Sequence, residues 1–189
     1  MMRRKGTNSV YLGSEKSLLD ALSKILNENR SFYIRPIDIT KEANLAKSSF
    51  YIHYSSVQNL IEVNEKKVLN AIERLIQSDR YKRLSSEGKW RNILYCLYQY
   101  REYLTVIIKS ENIGFQRKLF TLLKDNTPTS RLNWCIKNEK LVNVTIYCLI
   151  AVLEMWQKEG FNIDKIAEYA QKLNQISAST PHFFWQFFP

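Results

Sequence analysis

The stretch PIDITKEANLAKSSFYIHY, residues 36–54, constrains this chain more than any other. Pro36 suits the first turn of a helix, where its missing N–H is no loss. Ile37, Ile39 and Ala43 then supply the apolar positions of a short second helix. NLA breaks it, Asn44 being one of the few non-glycine residues that tolerate the left-handed conformation of a tight turn. A third short helix is expected over about 47–53. Upstream, Ser14 reads as an N-cap, and the helix it opens places Leu18, Leu22 and Ile25 on one face, with Leu19 and Leu26 adjoining. Three helices, the second and third short and joined by a tight turn, describe a helix-turn-helix unit.

In such a unit the third helix is presented to the major groove. Phe50 and Tyr54, four residues apart, can face the core, while Lys47, Ser48, Ser49, Tyr51 and His53 have polar atoms to offer outward. A phenol or imidazole can donate to phosphate oxygens, and serine hydroxyls to phosphates or, with little discrimination, to base edges. A catalytic reading fares worse. Ser48, Ser49 and His53 share one helix, but no orienting acid follows at a useful spacing. The only histidines are His53 and His182, and neither a metal-ligand spacing nor a Gly-rich phosphate loop occurs. The expectation is no enzyme, no catalytic residue, no metal and no cofactor.

The formal net charge of +10 favours an anionic partner without choosing between nucleic acid and a membrane surface. Residues 1–56 hold 9 Lys/Arg against 5 Asp/Glu, a moderate enrichment. MMRRKGTNSVYLG has a basic run, Arg3, Arg4 and Lys5, with no apolar stretch after it, so residues 1–13 read as a flexible basic leader rather than a signal peptide. LVNVTIYCLIAVLEMW, 141–156, is shorter than the ~20 residues a membrane span needs and carries Asn143 and Glu154, which favours a buried helix. Cys96, Cys135 and Cys148 are odd in number and sit in apolar sequence, as reduced thiols do. A cytoplasmic protein with no membrane partner is expected.

Beyond the helix-turn-helix, Ser56 can cap a fourth helix carrying Val57, Leu60, Ile61, Val68, Ile72 and Leu75 at helical spacing. The polar stretch 77–89 reads as the boundary, giving a DNA-binding domain with its connecting helix over 14–76 and a second domain over 77–189. There the pattern predicts a helix over 90–109, an interruption at SENIG, a shorter helix, a turn with Pro128, a long helix over about 138–159 ended by Gly160, and one over about 163–176. No segment keeps a period of two, so the fold class is all-α. The 138–159 helix is apolar nearly all round and must be covered on every side. A partner subunit is the natural second cover, with Leu149, Ile150, Leu153 and Trp156 as interface candidates. Helix bundles also hold ligands between helices, and Tyr95, Tyr98, Tyr103, Trp134 and Tyr147 are candidates to line a pocket for a small apolar or aromatic effector. The tail HFFWQFFP, 182–189, is expected to pack on the domain or across the dimer.

ITKEANLAKSSFYIHYSSVQNLI, 39–61, resembles the motif of the TetR family of transcriptional regulators without a gap. By that resemblance Ile39, Ala43, Leu45, Phe50, Tyr54 and Leu60 are structural, and Lys47 to Ser49, Tyr51 and His53 approach DNA. Asn44 stands where the family usually has glycine, Arg35 where a Thr or Ser N-cap is common, and Val57 where a phosphate-binding lysine is usual. The second half, through YREYLTVIIKSENIGFQRKL and EMWQKEGF, is similar to the C-terminal domain of a TetR subgroup common in Gram-positive bacteria. The resemblance implies a homodimer joined through its last two helices, a near-palindromic double-stranded operator, and repression relieved by a small effector. The alternative is a regulator of the same fold that activates, or that acts through a protein partner; the missing lysine at Val57 and the aromatic tail favour it.

Overall fold

A computed structural model describes residues 5–28, 33–110, 113–125 and 139–179 of the chain. Among these every regular element is helical, as the patterning requires: α1 (Lys5–Asn27), α2 (Pro36–Glu42), α3 (Lys47–His53), α4 (Val57–Gln77), α5 (Asp79–Lys82), α6 (Ser86–Gln99), α7 (Arg101–Lys109), α8 (Ile113–Asp125), α9 (Glu139–Lys158) and α10 (Ile166–Ser179), with a 3-10 turn at Ile163–Lys165. No helix among the described residues is long and apolar enough to cross a membrane. Arg3, Arg4, Trp134, Cys135 and the aromatic tail lie outside the described residues.

The chain divides into two compact units, one formed by Met1–Glu65 with Glu102–Glu111, the other by Lys66–Arg101 with Asn112–Pro189. The division therefore falls within α4 rather than in the polar 77–89 stretch, part of which folds as α5. The expected 90–109 helix is also two helices. Tyr100 leaves the helical conformation at φ −112° and ψ 19°, its N–H turning to the Leu97 and Tyr98 carbonyls. The Arg101 guanidinium donates to the Tyr98 carbonyl as well. The break sends the apolar side chains to different cores: Trp90, Ile93, Leu94 and Leu97 belong to the second unit, Leu104, Val106 and Ile107 to the first.

In the first unit, α2 and α3 have seven residues each, too few to hold a helix in isolation. Packing supplies what length does not. Leu18, Leu22 and Ile25 of α1 meet Ile39 of α2, Phe50 of α3, Leu60 of α4 and Val106 of α7 in one cluster, with Ala43, Leu45, Val57 and Tyr103 partly buried against it. Each fully buried side chain of this size stabilises by roughly 1.5–3 kcal/mol. The turn behaves as its sequence predicts. Asn44 has φ +54°, the Leu45 N–H reaches the Thr40 carbonyl at 2.8 Å and the Asn44 N–H reaches that of Lys41 at 3.1 Å, the paired bonds of a Schellman ending. Ser56 caps α4 by accepting from the Asn59 N–H at 3.0 Å.

Ser14 does not begin α1. The helix starts at Lys5, so residues 5–13 are helical rather than a flexible leader. Ser14 and Ser17 donate to the carbonyls of Tyr11 and Gly13 at 2.9 and 3.0 Å, which lets a serine sit inside a helix it was expected to open.

In the second unit α10 lies along α6, and α9 packs on α8 and α10. Trp156 is wholly buried, its indole N–H donating to the Asn162 carbonyl at 2.7 Å. Gly160, at φ +68°, ends α9 as expected, and the next residue, Phe161, is also left-handed at φ +54°. The Phe161 N–H closes on the Trp156 carbonyl at 2.8 Å and the two rings meet edge to face at 5.3 Å, the apolar contact that accompanies this helix ending. Cys96 and Cys148 are free and half-buried, and burial pushes the Cys96 thiol above its ordinary pKa.

Candidate nucleic-acid interface

The turn between α2 and α3 fixes the direction of α3, and the residues before it fix α2. Arg35 is extended ahead of Pro36. Its backbone N–H donates to Asp38 Oδ2 at 3.0 Å, and its guanidinium donates to both carboxylate oxygens of Asp38, also at 3.0 Å. Arg35 cannot accept as a hydroxyl would, so only the returning half of a capping box is made, from its N–H to the Asp38 carboxylate, and the bidentate pair holds that carboxylate in place. It lowers the Asp38 pKa, chiefly through the side-chain hydrogen bond, and raises that of Arg35 by the same contact. The pair is largely exposed, so its contribution to stability is small.

α3 turns four residues to solvent. Lys47, Ser48, Tyr51 and Ile52 are all exposed, and their spacing of three and four puts them on one contiguous patch. Phe50 and Tyr54 are buried, as expected. The Tyr51 ring stands edge-on to Phe50 at 5.5 Å, so its exposed part sits on a fixed base.

The other two candidates sit at the flanks of this face. Ser49 is half-buried. His53 is half-buried too and is turned towards α1: its Nε2 lies 2.7 Å from Ser14 Oγ, and its ring centroid is 4.0 Å from that of Tyr11. Because Ser14 gives its hydrogen to the Tyr11 carbonyl, the histidine contact is met by Nε2–H donating to the serine oxygen. The polarity is the reverse of a base drawing a proton from a nucleophile. The neighbouring residues form a second tie, Tyr54 donating its hydroxyl to Glu15 Oε1 at 2.9 Å. Consecutive residues of α1 thus hold consecutive residues at the end of α3, and His53 acts as a positioning residue rather than an outward donor. Sequence reasoning missed Ile52, which it left unassigned and which is 66% exposed. Helical spacing did carry the signal, since position 52 follows 48 by one turn.

No protein-family model and no curated protein matches the chain.

The remaining candidates are placed differently from expectation. Leu149, Leu153 and Trp156 are buried within the second unit itself, and Ile150 is half-buried. Side chains already enclosed by their own chain have little surface to offer a second copy, and of these four Ile150 keeps the most. Among the described side chains of α9, Val144, Tyr147, Ala151 and Met155 are exposed apolar positions, and their spacing of three and four makes one stripe. Of the pocket candidates, Tyr103 belongs to the first unit and Tyr95, Tyr98 and Tyr147 to the second. Tyr95 and Tyr147 are exposed. Tyr98 stacks on Trp156 at 6.0 Å with the Arg101 guanidinium 4.6 Å from its ring centroid. Tyr103 packs against the core of the first unit, and Trp134 lies outside the described residues.

Proposed function

We propose that this chain is a helix-turn-helix transcriptional regulator that binds double-stranded DNA through α3 and works as a homodimer, with repression as its mode. The observation that carries the reading is the exposed patch Lys47, Ser48, Tyr51 and Ile52 on a short helix whose direction is fixed by a left-handed turn and by two ties to α1. A short helix with one exposed face suits the major groove, which admits one α-helix, and the net charge of +10 suits a polyanion. The exposed stripe of α9 supports self-association. Two copies related by a dyad would read half-sites one helical turn, ~34–36 Å, or a multiple of it apart. An electrophoretic shift assay with duplex fragments at several salt concentrations tests the reading. The expected result is a retained complex whose affinity falls steeply with salt and recovers a near-palindromic sequence on selection. A protein that retains no duplex even at 50 mM salt refutes it and leaves a protein partner as the reading to pursue.

A further inference from the structure

The apolar side chain on the outward face of α3 has a definite consequence for sequence reading. Ile52 is 66% exposed, more than any other large aliphatic side chain among the described residues, and it shares its face with Lys47, Ser48 and Tyr51, which carry the polar groups there. Its neighbours can satisfy phosphates and base-edge acceptors. Isoleucine has no donor or acceptor and cannot do so. Brought against a base edge that offers only hydrogen-bonding groups, it would strip water from them and return nothing. The major groove presents one apolar group, the C5-methyl of thymine, and apolar side chains that contact bases there do so at that methyl.

We infer that Ile52 is a specificity-determining residue that selects a 5-methylpyrimidine, thymine in unmodified DNA, at one position of each half-site. The inference rests on the DNA-binding reading of α3. It adds what none of the polar residues of the face can supply, because serine and tyrosine hydroxyls accept several base edges and a lysine on a phosphate accepts all sequences. Charge complementarity suits DNA as the occupant: Lys47 on this face and Lys41 on the preceding helix are both exposed.

Binding-site selection from a randomised duplex pool, followed by single-atom changes in the selected site, provides the test. With the full-length protein, replacing the critical thymine by deoxyuridine removes only the methyl group and should weaken binding about fourfold, the worth of one buried methyl-sized group. Cytosine at that position should bind more weakly than 5-methylcytosine, which separates the methyl contact from the rest of the base. Ile52→Ala, a surface change that leaves the buried side of α3 intact, should bind thymine and deoxyuridine sites equally and give a selected site with no preference there. A wild-type protein that selects a defined site yet is indifferent to deoxyuridine at every thymine overturns this inference and leaves the DNA-binding reading standing. An Ile52→Ala protein that keeps the full methyl discrimination overturns it too. Failure of the wild type to select any site overturns the DNA-binding reading, and this inference falls with it.

Discussion

Replacing Tyr54 by phenylalanine removes one atom from the joint between α1 and α3 and keeps the ring. Tyr54 is 3% exposed, so the apolar burial is unchanged and the cost is that of the hydroxyl alone. That hydroxyl donates to Glu15 Oε1 at 2.9 Å, and burial, with the Glu15 carboxylate beside it, holds its pKa well above the ordinary value of 10.0. It is therefore a donor throughout the working range of pH. A hydrogen bond to a charged acceptor contributes about 1.5–3 kcal/mol. Glu15 is only half-buried and regains some hydration when the donor goes, which places the expectation near the lower limit, about 1.5 kcal/mol, or a fall in Tm of ~3–6 °C for a chain of this length. Urea titration followed by far-UV circular dichroism reads the loss. Trp90 and Trp156 fall within the second unit, so their fluorescence reports whether that unit responds. Glu15→Gln and the double variant complete a cycle whose coupling should be of similar size. A Tyr54→Phe protein within about 0.3 kcal/mol of the wild type, against the 1.5–3 kcal/mol range for such bonds, would refute the argument that this contact fixes α3.

Four further outcomes are expected. Asn44→Gly should hold or slightly raise stability, and Asn44→Ala should lower it by about 1 kcal/mol, because φ +54° disfavours a Cβ without local hydrogen bonds; a chemical denaturation series decides. Lys47→Ala should lower the slope of log affinity on log salt by about 0.9 if its charge sits on a phosphate, and an unchanged slope takes Lys47 out of the interface. If the exposed stripe of α9 is the seam of the proposed dimer, Tyr147→Glu should leave the helical content intact and give monomers in sedimentation, whereas Leu153→Glu should unfold the second unit, since one side chain is exposed and the other buried. Glu168 has its carboxyl lowered from 4.5 to about 2 by hydrogen bonds from Lys165 and then Lys172, so its contribution is present above pH 4.5 and is lost as pH falls towards 2. Glu168→Gln should flatten the dependence of Tm on pH in that window, with an effect that shrinks in high salt.

Local backbone chemistry was the most legible part of the chain. Pro36 by its ring, Asn44 and Gly160 by tolerating the left-handed region, and Ser56 by its capping hydroxyl each favour one local conformation, and elements begin or end beside them. Ser14 misled because a serine hydroxyl can bond to a carbonyl of its own helix as readily as it can cap one. The break at Tyr100 carries no glycine or proline; it is set by two cores competing for one apolar series, which is a long-range effect. The same limit applies to α9. Its apolar residues cover most of the helix, and only packing decides that Trp156 is enclosed while Tyr147 is exposed. At the candidate site, periodicity separated Phe50 and Tyr54 from the outward face. It could not show that His53 would be taken by Ser14, because its partner lies 39 residues away.

The route of the chain through the first unit also governs how that unit can be made. Val106, wholly buried in its cluster, is supplied by Glu102–Glu111, after the chain has passed through α5 and α6 of the second unit. During synthesis the first sixty-five residues therefore leave the ribosome with their core unfinished, and the head cannot close until α7 emerges. A shortened gene ending after α4 would yield an incomplete head with an apolar opening where Val106 belongs. Excising the head for separate study would call for α7 to be stitched back onto α4 by an engineered loop.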